Sequence, residues 1–312
     1  MQTSDDCVLG IDLGGTKIAC GAVDLSGHVT HVRSAPTPAH EGADAILRAM
    51  HALGAAVRAE AEGQGVRVRA AGVGAAGVID YAHGRVRYAS PTISGWAGAE
   101  IAQTLRAGFD LPVAVDNDAN VWALGEQRFG AGRTFQHVLY IAVGTGVGGA
   151  LVMNGQLWRG HSYSAGEVGT LLTEDAVAAR GRGVLEGRLE SYAGGPAIAA
   201  DYCTRAGKHG LDLRSVAALA AAGDPLAVDA IAAGAQVLGR GLCGLLNTLD
   251  PEALIVGGGV AGLGALWWDP LLAVLRANPM PGPAQIEVRA AELGTHAPIA
   301  GAGALAFEAL PS

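Results

Sequence analysis

The stretch Cys7-Val8-Leu9-Gly10-Ile11-Asp12-Leu13-Gly14-Gly15-Thr16-Lys17-Ile18-Ala19-Cys20-Gly21-Ala22-Val23 decides the fold. Cys7–Leu13 is an apolar run, and short apolar runs bounded by turn residues read as buried strands. It ends in Asp12-Leu13-Gly14-Gly15-Thr16-Lys17, and Ile18–Val23 continues as a second strand. Asp24–Gly27 is a turn and His28–Arg33 a third strand. This is a hairpin start, not a strand-to-helix start. The same unit recurs in the second half. Val138–Val143 is a strand, Gly144-Thr145-Gly146 a turn and Val147–Met153 a strand. Asn154-Gly155 is a strong hairpin dipeptide and leads to Gln156–Trp158. Gly14-Gly15-Thr16 therefore lies against Gly144-Thr145-Gly146, and the chain reads as two related halves.

The 312 residues allow two domains. Half of them are hydrophobic and 16% are charged, which argues against disorder. A net charge of −8 without a basic block argues against nucleic acid as a partner. The four cysteines (Cys7, Cys20, Cys203, Cys243) show no metal-ligand spacing and read as buried reduced thiols. Met1–Asp6 is polar, unlike a signal peptide. The longest apolar stretches are interrupted by Gly, Asp or Arg, so no membrane span is expected. The expectation is a cytoplasmic protein.

Outward from the hairpins, Ala43–Glu62 reads as a helix, Val66–Gly74 as a strand and Ala99–Ala107 as a helix. Leu111–Val115 is a strand and Ala119–Phe129 a helix. Between them stands Asp116-Asn117-Asp118-Ala119-Asn120, at a strand-to-helix junction where open α/β sheets place their chemistry. Helix capping explains one such polar residue, not four in five positions. Further on, Leu189–Ala206 and Asp224–Leu249 read as helices and Ala253–Val256 as a strand before Gly257-Gly258-Gly259. Ala265–Ala277 is helical, Ile286–Ala290 a strand and Gly301–Ala309 a final helix.

Three glycine turns could face phosphates: Gly14–Lys17, Gly144–Gly149 and Gly257–Gly262. Glycine lets backbone N–H groups point at phosphate oxygens without a Cβ in the way. Thr16 and Thr145 add hydroxyls, and Asp12 could hold Mg²⁺, directly or through water. Any one turn alone is more simply an ordinary hairpin. Gly10–Lys17 is not a P-loop, because its order is Gly-Thr-Lys and a strand follows. Gly257, Gly259 and Gly262 have dinucleotide-motif spacing but lack the acidic residue about 20 positions on. Two phosphate turns in a repeat, with an Asn-Asp junction between them, suggest phosphoryl transfer, which needs clamps, a metal and a positioned base.

These motifs, in order, resemble the ROK-family sugar kinases of the actin-like ATPase and hexokinase superfamily, from Leu9 almost to the C-terminus. The resemblance is carried by Asp12–Lys17, Asn117-Asp118-Ala119-Asn120, Gly144–Gly149, Ala165-Gly166-Glu167-Val168-Gly169, Glu190–Pro196, Asp250-Pro251, Val256–Val260, Leu293-Gly294 and Gly301–Ala304. It implies two α/β domains of ribonuclease-H-like build around a cleft, residues 1–116 plus 300–312 forming the smaller and 117–299 the larger. It implies ATP-dependent phosphorylation of a hexose or amino sugar, typically at the C6 hydroxyl, with Asp118 as general base. Asp116 is the alternative base. Asn117, Glu167, Thr170, Glu190 and Gly77 would surround the sugar. Asp12, Gly14, Gly15, Thr16, Gly144, Thr145, Gly146, Gly258 and Gly259 would hold ATP and Mg²⁺. Glu190 could instead be a charge in a first helical turn, favoured by the macrodipole, and Lys17 an exposed strand residue. The family's homodimers imply one here. Some family members are sugar-sensing repressors with an N-terminal helix-turn-helix, for which the strand at Cys7 leaves no room.

The chain also departs from the family. Most members carry a His and three Cys that bind a structural zinc. Here those positions are Thr170, Gly181, Gly183 and Arg188, so no zinc is expected. The loop Asp175–Gly187 would be held by other contacts, such as Arg182 or Arg188 with nearby acids. The missing His also lies near the sugar in relatives. Kanosamine, N-acetylmannosamine, N-acetylglucosamine or a rare hexose are therefore open beside glucose.

Overall fold

A computed structural model describes residues 6–89, 93–173 and 187–310. The chain divides into two compact units: Met1–Thr134, Leu157–Ala165 and Glu292–Ser312 form one, Phe135–Gln156 and Gly166–Ala291 the other.

In the first unit, β1 (Asp6–Leu13), β2 (Lys17–Val23) and β3 (Val29–Pro36) form the meander predicted from the opening stretch. Helix α1 (Ala43–Gly63) crosses to β4 (Arg67–Ala75), and a small hairpin of β5 (Val78–Asp80) and β6 (Arg85–Tyr88) follows. That hairpin was not read from the sequence. Then come α2 (Ile101–Phe109), β7 (Val113–Asn117) and α3 (Asp118–Phe129). The sheet order is β3-β2-β1-β4-β7, with β1, β4 and β7 parallel. Strand β7 starts after Pro112, which has no N–H for the ladder, and runs on into the polar junction. Ile11, Ile18, Ile46 and Val73 are fully buried in this unit's core. Each such side chain contributes roughly 1.5–3 kcal/mol.

In the second unit, β8 (Val138–Val143) and β9 (Val147–Met153) form the repeated hairpin, extended by β10 (Gln156–Leu157). The helices are α4 (Glu190–Ala193), α5 (Gly195–Ala206), α6 (Leu213–Ala221), α7 (Pro225–Leu249) and α8 (Ala265–Ala277), with β11 (Ala253–Gly257) before α8 and β12 (Glu287–Ala290) after it. The order β10-β9-β8-β11-β12 repeats that of the first sheet, antiparallel and parallel pairs included. The internal repeat thus extends past the hairpin to the whole sheet, and each unit has the ribonuclease-H-like arrangement.

One predicted helix is divided. Leu189–Ala206 breaks at Gly194, which is extended (φ −68°, ψ 153°), and Pro196 stands in the first turn of α5, where it needs no N–H partner. Helix α6 was not read. Among the described residues, α7 alone is long and apolar enough to cross a membrane. It buries Ala227, Ile231, Leu238, Leu242 and Leu246 in the core of its own unit.

The last helix, α9 (Ala297–Glu308), starts before Gly301 and packs on the first unit's sheet and on α3. Glycine permits the approach. A Cβ at Gly72 of β4 would overlap the Ala302 carbonyl, and one at Gly301 would overlap the Val121 carbonyl of α3. A boundary at 116/117 would separate β7 from α3. Because α3 and α9 lie backbone to backbone, the first unit instead continues through Thr134 and resumes at Glu292.

Candidate active site

In the first unit the junction is built by side chains satisfying each other. Asn117 is the N-cap of α3. Its Oδ1 accepts from the Ala119 and Asn120 N–H groups at 2.9 and 3.3 Å, and its Nδ2 donates to the Gly77 carbonyl at 3.0 Å. Gly77 has φ +104°, and a Cβ there would lie 2.6 Å from the Tyr88 carbonyl oxygen, so only glycine fits. Asp116 is 2% exposed. Its Oδ1 accepts from the Asn117 N–H at 2.7 Å and from Asn120 Nδ2 at 3.0 Å, and its Oδ2 accepts from Arg159 Nε at 2.6 Å. Three of the four polar side chains are therefore committed to holding the turn.

Asp118 is the junction carboxylate whose surface still reaches solvent, although protein atoms crowd around its carboxyl group. Its Oδ1 accepts from the Ala119 N–H at 2.9 Å. Desolvation by the surrounding protein raises its carboxyl above the ordinary aspartate value, against lowering by that N–H and by Asn117. Strand register brings Asp12 to the same end of the sheet, since Asp12 and Asp116 both stand opposite Gly74. Burial, then the negative charge of Asp118, pushes Asp12 up to about 6, with Lys17 opposing. The turn between β1 and β2 is closed by the Gly14 N–H donating to the Lys17 carbonyl at 3.0 Å. The Thr37 hydroxyl donates to the Gly14 carbonyl at 2.7 Å. Gly15, Thr16 and Lys17 are exposed.

In the second unit the corresponding turn is closed by the Gly144 N–H donating to the Gly146 carbonyl at 2.9 Å. The start of α5 grips it, the Gly195 N–H donating to the Gly144 carbonyl at 2.8 Å. Glu190 Oε2 accepts from the Val147 N–H at 2.9 Å, and a side chain at Gly146 would collide with that carboxylate. Glu190 thus braces the glycine turn, a role the sequence did not suggest. A cavity of about 1260 Å³ opens beside the turn, lined by Gly144, Thr145, Gly195, Ala199, Lys208 and Gly259 among others. Gly146 and Gly258 are not in its lining. Gly258 (φ +92°) instead passes the Val143 backbone too closely for a Cβ. The cavity walls from α5 and α6, with Lys208 and Arg214, were missed because Ala- and Gly-rich segments carry no motif.

Glu167 and Thr170 lie together in this unit. Thr170 Oγ1 donates to the Glu167 carbonyl at 2.6 Å across a 3₁₀ turn (Val168–Thr170), and both residues are exposed. Gly181, Gly183, Arg182 and most of the loop 175–187 lie outside the described residues. Next to it, Arg188 is held through its backbone in an antiparallel bridge to Leu172, and Thr173 N–H donates to the Gly187 carbonyl at 2.8 Å. Among the described residues no cluster of three His, Cys, Asp or Glu side chains forms a metal cage. The donors suit Mg²⁺, which takes one or two carboxylates and completes its shell with waters and substrate phosphates. Asp12, at the same end of the sheet, has its charge repelled by Asp118.

The chain belongs to the ROK family, whose model matches residues 8–309. It is 34% identical to a glucokinase of Streptomyces coelicolor over 97% of this chain and 98% of that protein. It is 31% identical to an N-acetylmannosamine kinase of Salmonella paratyphi A, over 88% of this chain and 89% of the relative. Its fold matches that of a ROK-family glucokinase from Streptomyces griseus, solved in complex with glucose and AMPPNP. The TM-score is 0.82 and the identity 34%, over 97% of this chain and 99% of that one.

Proposed function

We propose that this chain is an ATP-dependent sugar kinase that transfers the γ-phosphoryl group to a hexose or amino sugar, most simply at the C6 hydroxyl, with Asp118 as general base. What supports this is the division of roles at the junction. Asp116 and Asn117 are tied into the turn, and Asp118 alone is exposed with a raised carboxyl. A base works best when its proton affinity approaches the working pH, and such catalysis contributes roughly 10²–10⁴-fold. The hydroxyl proton passes to the Asp118 carboxylate, the sugar oxygen forms a bond to the γ-phosphorus, and ADP leaves with the bridging oxygen.

Asn117, through its position beside Gly77, would orient the sugar, with Glu167, Thr170 and Glu190 meeting its hydroxyls. Carboxylates accept such charge-assisted bonds strongly. Gly14, Gly15 and Thr16, with Gly144 and Thr145, would hold phosphates, and the cavity beside Gly259 has the size and mixed lining for adenosine. Asp12 would hold Mg²⁺, whose positive charge would offset that of the phosphates during transfer. The expected setting is a cytoplasmic homodimer.

The Streptomyces and Salmonella relatives leave both glucose and N-acetylmannosamine open. Purified protein offered ATP, Mg²⁺ and a panel of hexoses and amino sugars should release ADP with at least one of them, phosphorylated at C6 by NMR. Failure with every sugar, beside a working kinase control, would sink the proposal.

A further inference from the structure

We propose that Arg159 is a positioning residue for phosphoryl transfer: its pairing with buried Asp116 holds the junction between β7 and α3 in the form that presents Asp118, taken here as the base. Arg159 lies on the short segment Leu157–Ala165, which returns to the first unit. Its Nε is 2.6 Å from Asp116 Oδ2, and the two side chains are 18% and 2% exposed. Its guanidinium carbon is 4.3 Å from the Tyr81 ring centroid. Tyr81 meets Tyr163 edge-on, ring centroids 5.5 Å apart. Arg159 is thus fixed from two sides, by a buried carboxylate and by an aromatic face at the end of the hairpin β5–β6.

The effect reaches Asp118 through Asp116. The other Asp116 oxygen accepts from the Asn117 N–H and from Asn120 Nδ2. These two bonds bracket Asp118, one just before it in the chain and one just after. Without Arg159, a carboxylate with almost no water contact loses the cation paired with it, and one left that way must turn or draw in water. Each response alters the bonds that set the first turn of α3. Loss of a merely stabilising ion pair would lower the melting temperature but leave the turnover of folded molecules unchanged.

The test uses the full chain with ATP, Mg²⁺ and the panel sugar turned over fastest, comparing Arg159→Gln, Arg159→Lys, Asp116→Asn and the double variant Asp116→Asn/Arg159→Gln. Turnover is normalised to folded protein from thermal unfolding. In Arg159→Gln, kcat should fall by on the order of 10²-fold, as misplacing a catalytic group does, with both KM values little changed. Arg159→Lys should recover part of it, since charge returns without the planar fork. The double variant should lose no more than the worse single one, because both changes break one pair. A native kcat in folded Arg159→Gln, or losses that multiply in the double variant, would overturn the proposal. If Arg159→Gln does not fold, a native kcat in folded Asp116→Asn, which breaks the same pair from its other side, would overturn it equally. Asp118→Asn, run alongside, separates the two ideas. Native turnover there removes Asp118 as the base, whereas loss there with normal Arg159→Gln removes only the role of Arg159.

Discussion

At the scale of single residues, four polar side chains at one junction divide into three that build and one that is presented. Asp118→Asn should lower kcat by roughly 10²–10⁴-fold, while sugar affinity by calorimetry stays near native. The raised Asp118 carboxyl sets the sign of the pH dependence. The base must be ionised, so kcat should fall as pH drops, with a midpoint above the ordinary aspartate value of about 3.9. A profile flat down to that value would refute it. Asp12, pushed up to about 6, binds its proton more tightly in the fold than in the unfolded chain. Its favourable contribution to stability is present below the unfolded pKa and is lost as pH rises through about 6. Asp12→Asn should therefore melt higher than native at pH 7 without Mg²⁺, and the gain should vanish below about pH 4, near the unfolded value. The kinds of residue were legible in the sequence. Which carboxylate stays open was not, because that depends on Arg159, 43 positions away, and spacing does not reveal such a partner.

At the scale of elements, the glycines do two different jobs. Some shape turns beside the cavity, and others let backbones touch. Gly301→Ala would push a methyl into the Val121 carbonyl, and Gly72→Ala into that of Ala302. Overpacking of this kind costs typically 1–3 kcal/mol, so both variants should show lower denaturation midpoints. The Glu190 brace gives a third expectation. Glu190→Ala leaves the Val147 N–H without its acceptor and should raise KM for ATP as well as for sugar. A change confined to sugar would show that the brace does not matter to the nucleotide turn. Strand and helix periods were readable for the hairpins, α1, α7 and α8, where apolar spacing and turn residues agree. The break at Gly194 and the helix α6 were not, since Ala-rich sequence supports one long helix or two short ones equally well until packing chooses.

For the whole molecule, the repeated sheet order gives each unit a glycine turn between its first two strands. Thr170, Gly181, Gly183 and Arg188 stand at the positions of the family's zinc ligands, and none offers a thiolate or an imidazole. Elemental analysis should find no stoichiometric zinc, and EDTA should stop turnover that Mg²⁺ alone restores. Zinc-dependent recovery would overturn both the loop argument and the metal assignment. By itself the sequence determined the duplicated hairpin, the family and the residue types at the junction, because turn chemistry and apolar period are local. Only the tertiary structure decided where the first unit ends, that Glu190 holds a turn, that a cavity lies under α5 and α6, and that Asp116 is sealed by Arg159. Each of these depends on groups far apart in sequence meeting through burial, and burial is a property of the packed chain.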